Sequence, residues 1–449
     1  MDRENLMSPN RYGFYFLFAL LWGAVFARYA MQMFVPRMLL LLIVSAIAFL
    51  GDRDEIIAIC MCCIPLHTSF NYLYGLLICI LVYAVKYPSD LKINLTTLPV
   101  FCLWVWELIH CFDRQVTLRS IIAFCVPYLL CFFLMCSKRK CDYGFIVRVF
   151  AVSTVALCVV LLGKLLVAVE FNIDVAFLNM HRLGLDSEAI KDELKITGGE
   201  INPNTLGILC VLAMSGLLQT FENGEKKRRD VFWIICLLAF GLLTSSKTFL
   251  ACLLILVILF VLAREGNTIK KVQTIFVLSV LIIGACILVN IVLPQVMETF
   301  LRRLLAEDIS SGRINLFALY NEFLFSHPSV LFFGVGVQNF AEKLVMEYSV
   351  AANVPHNGFQ EVLIAWGIPG LALFLWFLVA LVWRGKRIIQ RQTILNYIPL
   401  IIILAKVQAG QMITSPYTMM AFSFAYLSLC HDFENHDTLS SLEERVNQI

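Results

Sequence analysis

The feature that most limits this chain is the recurrence of long apolar runs with few charges between them. Fourteen such runs occupy residues 14–30, 36–50, 56–66, 69–87, 98–112, 121–136, 144–169, 205–220, 231–243, 248–263, 272–293, 357–383, 397–411 and 416–430. A helix needs roughly 17–25 apolar residues to cross about 30 Å of hydrocarbon. Hydrophobic residues reach 60% and charged residues only 15%, against about 45–50% and about 25% in soluble globular domains. Mean hydropathy is +0.82. So much apolar surface, spread along all 449 residues, cannot be hidden from water. The solvent must be lipid.

The expected fold is therefore an all-α polytopic transmembrane bundle of about 12–14 helices, forming one membrane domain over residues 1–449. Run 56–66 is short enough to dip into the membrane without crossing it, so a count of twelve stays open. Two long hydrophilic segments, 171–204 and 294–355, read as loops, the second containing short amphipathic helices. Residues 431–449 form a polar tail. The polar start of the chain and the length of run 14–30 suit a first transmembrane helix better than a cleaved leader.

Lysine and arginine in short loops set the orientation. Lys138-Arg139-Lys140, Lys226-Lys227-Arg228-Arg229, Arg264 with Lys270-Lys271, and Arg384 with Lys386-Arg387 and Arg391 should all be cytoplasmic. Walking the helices between these anchors places both termini inside and both long loops outside. The net charge of +3 is too small and too scattered for nucleic-acid binding. Most of the sixteen cysteines lie in apolar runs without zinc-ligand spacing, which suits packing rather than disulfides or a metal.

Three polar stretches then share the outer face: 244–248 (Thr-Ser-Ser-Lys-Thr), 310–313 (Ser-Ser-Gly-Arg) and 355–358 (Pro-His-Asn-Gly). Each precedes an apolar run and reads as a helix N-terminus. After Arg313, the residues Ile314, Phe317, Tyr320 and Leu324 recur at helical spacing, giving an amphipathic helix capped by serine. Lys247 and Arg313 stand in first turns, where the helix dipole already places positive charge. Serine, a cation and free backbone N–H groups suit an anion, phosphate above all. The alternative is that both cations anchor helices at lipid headgroups. His356 is either a polar helix end or a neutral imidazole able to accept a proton from a sugar hydroxyl.

The stretch from Ser311 to Gly370, with Ser-Gly-Arg, a helix, His-Pro, Gly-x-Gly, His-Asn and Gly-Ile-x-Gly in order, resembles the O-antigen ligase and polysaccharide polymerase superfamily. Residues 201–209 (INPNTLGIL) and 244–254 (TSSKTFLACLL) are similar to its upstream segments. The resemblance implies a metal-independent, inverting membrane glycosyltransferase without a cofactor. It implies an undecaprenyl-diphosphate-linked glycan donor and a glycan acceptor, joined at the outer face of a bacterial cytoplasmic membrane. By the same resemblance the product is a surface polysaccharide such as O-antigen, capsule or exopolysaccharide. A ligase acting on another acceptor is the alternative, and a lipid-glycan flippase is the rival of another class. A chain-length regulator and a separate flippase are candidate partners.

Carried over by position, Arg313 would bind the donor diphosphate with Lys247, Ser246 and Ser311, and His356 would activate the acceptor. Lys247 stands where the family usually has arginine and lacks the bidentate fork. Asn357, Gln360, Glu361, Lys406 and Arg182 are candidates for the carrier groove or the acceptor; Lys406, with Gln408 and Gln411, would line that groove or could instead pair with Glu361. His181 lies beside Arg182 in a loop that reads first as solvated, with help in holding the acceptor glycan as the alternative. Glu107, His110, Arg148 and Lys164 are costly in lipid and should face a cavity or a partner; for Arg148 snorkelling to the cytoplasm is the alternative. Asp52-Arg53-Asp54 looks like a metal-binding Asp-x-Asp but falls in a short cytoplasmic turn, and Gly334-Val335-Gly336 reads as a tight turn.

Overall fold

The computed structural model describes residues 11–66, 72–111, 118–137, 141–173, 175–176, 182–184, 201–222, 228–263, 268–305, 312–337, 340–350, 355–389, 393–408, 410, 413 and 415–431. Among them it is helical throughout, with one isolated bridge between Leu91 and Ser137. The first seven helices are α1 (Tyr12–Tyr29), α2 (Arg37–Leu50), α3 (Arg53–Cys62), α4 (Tyr72–Lys86), α5 (Leu98–Cys111), α6 (Leu118–Cys136) and α7 (Tyr143–Ala168). Then follow α8 (Pro203–Glu222), α9 (Arg228–Leu243), α10 (Lys247–Ala263), α11 (Thr268–Val292) and the amphipathic α12 (Pro294–Leu304). The chain continues through α13 (Arg313–Ser326), α14 (Pro328–Phe333), α15 (Phe340–Tyr348), α16 (Gly358–Ile388), α17 (Ile394–Val407) and α18 (Pro416–Leu429).

Five of these helices are long and apolar enough to cross a membrane, and seven shorter ones are apolar over 10–17 residues. This is the all-α polytopic bundle expected. The exception is α3, whose ten residues rise only about 15 Å, half the hydrocarbon. It is buried over most of its length and packs on α7. Asp52 caps it: its side chain accepts from Glu55 N at 2.9 Å, and Glu55 returns the bond to Asp52 N at 2.9 Å. The Asp-x-Asp pair thus begins a helix, and Arg53 lies 3.5 Å from Asp54.

Burial sorts the helices by solvent. α7 and α8 are mostly enclosed, whereas α11 leaves Phe276 68% and Ile291 71% exposed. An apolar helix exposed all round is at home only against lipid. All sixteen cysteines are free thiols, most of them buried among apolar neighbours.

The bundle has two chemically distinct ends. At one, Arg11 pairs with Asp142 at 3.0 Å, Arg148 with the fully buried Asp230 at 3.2 Å, and Arg384 donates to Met135 O and Ser137 O. The His431 ring stacks on Tyr143 there. Arg228, Arg229, Lys386 and Arg387 belong to the same end, since α9 starts and α16 finishes there. Arg148 is therefore partnered across helices and does not snorkel. The basic residues Lys138, Arg139, Lys140, Lys226, Lys227, Arg264 and Arg391 lie outside the described residues, as do Ser310, Ser311, His181, most of 171–204, parts of 294–355, Gln411 and residues 432–449.

α16 carries the main irregularity. Gly367 adopts φ 66°, ψ −168°, so the helix breaks there. Pro369 has no N–H for the carbonyl of Ala365, four residues back. That carbonyl accepts from Gly336 N at 2.7 Å, Ile364 O from Val335 N at 2.9 Å, and Trp366 O from Trp106 Nε1 at 2.9 Å. The Gly-x-Gly segment is thus the surrogate donor for a broken helix. Glycine is required on both sides: a Cβ at Gly334 would meet Ala365 O at 2.3 Å, and one at Gly367 would meet Phe332 O at 2.4 Å. Buried Glu107 completes the joint, accepting from Val337 N at 3.0 Å and Trp366 Nε1 at 2.7 Å.

Candidate active site

The end opposite the Arg148–Asp230 pair gathers three helix N-termini: α10 at Lys247, α13 at Arg313 and α16 at Gly358. These are the three starts expected from the polar stretches. One detail differs. The residue at the cap position of α13 is Gly312, with φ 79°, and the serines expected to cap the helix, Ser310 and Ser311, lie outside the described residues. Its inner face is Tyr320, Phe323 and Leu324, while Ile314 and Phe317 are exposed, so four-residue spacing overstated the apolar stripe.

The turn before α10 is built around Asn204. Ser246 Oγ donates to Asn204 Oδ1 at 2.7 Å and caps α10 by accepting from Phe249 N at 3.2 Å. Arg182 donates from Nη2 to the same Asn204 oxygen at 3.4 Å and from Nε to Thr244 O at 3.0 Å. Leu183 N donates to Leu243 O at 2.8 Å. The loop residue Arg182 thus fixes the turn that presents Lys247, and Ser246 is engaged as a cap. Ser245 takes φ 46°, the strained conformation that turns the chain sharply enough for this.

The second group forms around the start of α16. Asn357 caps it, accepting from Phe359 N at 3.1 Å and Gln360 N at 3.0 Å, and reaches Gln408 O at 3.3 Å. Gln360, one turn on, donates to Phe317 O and Asn321 Oδ1, both at 2.9 Å, locking α13 onto α16. Its Oε1 is buried without a partner among the described residues. Glu361 is fully buried and accepts from Ile413 N at 3.3 Å. Lys406 donates to Thr418 Oγ1 at 2.6 Å and lies within electrostatic range of both Glu361 and Arg313. The chain thus brings Arg313, His356, Glu361 and Lys406 together from helices α13, α16 and α17 and the loop before α16.

His356 is half-buried, and no hydrogen bond engages its ring among the described residues. Burial first, and the Arg313 charge second, hold its imidazole below the ordinary histidine value. Both causes favour the neutral ring near pH 7, the form that accepts a proton. Helix α10 packs on α17, where Cys252 contacts Ile402 O and lies near Lys406. Lys247 starts the same helix at the same end of the bundle.

With that geometry in place, the comparison with known families is informative. Residues 231–375 match the family model described as O-Antigen ligase. That region of the chain is similar to the O-antigen ligase family. No curated protein matches the chain. The matched region includes Ser246, Lys247, Arg313, His356, Asn357, Gln360 and Glu361, and stops short of Lys406; Arg182 precedes it. Residues outside it therefore complete the cluster. Sequence reasoning did not single out Asn204, Asn321 or Thr418. Asn204, in an Asn-Pro-Asn entry to a helix, carried the clearest signal; Thr418 and Asn321 look like ordinary polar residues within helices.

Proposed function

We propose that this membrane protein is a glycosyltransferase that joins undecaprenyl-diphosphate-linked repeat units into a surface polysaccharide. The observation that carries the reading is the approach of the Arg313 charge to a half-buried, uncommitted His356 at one end of the bundle. The arginine-rich end of α9 and α16 faces the cytoplasm on this reading, which puts the reaction outside.

His356 accepts the proton of an acceptor hydroxyl as the oxygen attacks the anomeric carbon of the donor sugar. The bond from that carbon to the diphosphate oxygen breaks with inversion, and the lipid diphosphate leaves. Arg313 and Lys247 stabilise the charge that grows on it, more strongly in a partly dry site than in water. The uncommitted Gln360 oxygen is placed to accept from a second sugar hydroxyl. Arg182, Ser246 and Asn357 shape and hold the site, and Glu361 balances the charge of Lys406. No metal enters this scheme.

The second reading is transfer of the lipid-linked glycan to a different acceptor, and the description of the matched family model favours it. Reconstitution of the purified protein in vesicles with lipid-linked repeat units tests both. Chain extension supports polymerisation, transfer only to an added second acceptor supports the ligase, and glycan movement without bond formation overturns both. Loss of activity with EDTA, restored by a divalent ion, would remove the metal-free step.

A further inference from the structure

A cavity whose lining does not include His356 lies at the same end of the bundle. It encloses about 340 Å³, within the range of small-ligand pockets. Trp106, Ile109 and His110 of α5 form one wall, and Lys343, Glu347 and Tyr348 of α15 the other. Its walls are fixed. Trp106 Nε1 donates to Trp366 O, and the His110 ring nitrogens lie 2.8 and 2.7 Å from Trp106 O and Phe333 O. Lys343 donates to Val335 O, and Glu107, beside Trp106, holds the broken helix against them. A joint that rigid preorganises whatever it binds.

The chemistry of the lining narrows the ligand. Aromatic faces from two helices suit the apolar face of a pyranose ring. Lys343 and Glu347, four residues apart on α15, share one side of that helix. An ammonium donates to hydroxyls and a carboxylate accepts from them, while the carboxylate disfavours a purely anionic ligand. Helices α13 to α15 form the excursion that leaves from Arg313 and returns toward His356. Phe323 stands ten residues along α13 from Arg313, and its ring meets Tyr348 at 5.4 Å. Ten helical residues span about 15 Å, the reach of a few sugar rings.

We infer that the Trp106–Tyr348 cavity is a saccharide subsite, holding one sugar of the glycan a few units from the bond being made. This inference rests on the glycosyltransferase reading for the identity of the glycan. The subsite would read the repeat unit at a distance from the reaction centre, so its lining sets which glycan is accepted.

The test places photoreactive p-benzoylphenylalanine at Ile109, which lines the cavity and is 53% exposed. The full chain is irradiated in the membranes of its own host, and adducts are read by mass spectrometry. A sugar-bearing adduct is expected, reduced at least fivefold by Glu347→Gln. A phospholipid adduct alone, no sugar adduct, or a sugar adduct undiminished by Glu347→Gln overturns the inference. In parallel, Ile109→Trp, which fills the cavity from its exposed side, should raise the KM for lipid-linked glycan at least fivefold with kcat within twofold. Glycan assembly in cells carrying His356→Ala separates the two ideas. Lost assembly without a sugar adduct sinks the subsite alone, whereas intact assembly sinks the catalytic reading and leaves the adduct to decide the subsite.

Discussion

The two ends of this bundle handle buried charge in opposite ways. At the basic end Arg148 and Asp230 form a closed pair, the carboxylate receiving Nε at 3.2 Å on both oxygens and having no exposure. At the other end the Arg313 charge acts on both His356 and Lys406, Glu361 acts on Lys406, and the histidine ring is engaged by no protein hydrogen bond among the described residues. Charge is costly in a low-dielectric bundle. A closed pair keeps that cost contained and does only structural work. A histidine ring left uncommitted, beside the Arg313 charge, suits an anionic ligand and a proton transfer.

The contrast predicts different failures. His356→Ala should lower glycan transfer by about 10²–10⁴-fold, the usual worth of a general base, with normal membrane insertion and folding. Arg313→Ala should lose a comparable factor. In purified protein assayed with lipid-linked glycan, full activity in either variant would break the distinction between the ends. Arg148→Ala should do the reverse: the stranded Asp230 costs about 3–5 kcal/mol of stability, seen as lost folded protein in detergent. Because a closed pair can be replaced by packing, Arg148→Met with Asp230→Leu should recover most of that loss.

The sequence made the fold legible because lipid permits few solutions: apolar runs of spanning length can only be helices. It also marked the three helix N-termini, since serine, glycine and asparagine at those positions have a local physical reason. What it hid was non-local. That Gly334-Val335-Gly336 supplies donors to Ile364 and Ala365 depends on a break at Gly367 and on Pro369, which spacing alone does not connect. The Asn204 bridge between Arg182 and Ser246 joins residues from three segments and had no signal beyond an Asn-Pro-Asn triplet. For Arg148 a partner was legible as a need, but its identity was not, because Asp230 sits 82 positions away.

The hidden joint gives the next effect. Gly367→Ala forces a side chain into positive φ and against Phe332 O, and should cost about 1–3 kcal/mol from the backbone alone. Thermal unfolding in detergent would show it, whereas an unchanged midpoint would mean that the break in α16 is not required. At Lys247 the expected change is smaller still. Lys247→Arg keeps the charge and adds a fork that suits a diphosphate, so activity should stay within a few-fold.

The smallest effect isolates the electrostatics of the site from its catalysis. Burial and Arg313 both lower the pKa of His356, so the ring stays neutral to a lower pH than an ordinary histidine. The acid limb of activity should follow, falling only as pH drops through that lowered value. Arg313→Gln removes the second cause and leaves the first, so the His356 pKa should rise while remaining under the influence of burial. Because that variant should be inactive, the shift is best read by NMR of labelled histidine, assigned through loss of the signal in His356→Ala. An unchanged His356 titration in Arg313→Gln would mean that the two side chains do not sense each other. The open end of the bundle would then be a set of separate charges, with no shared site for a diphosphate and a base.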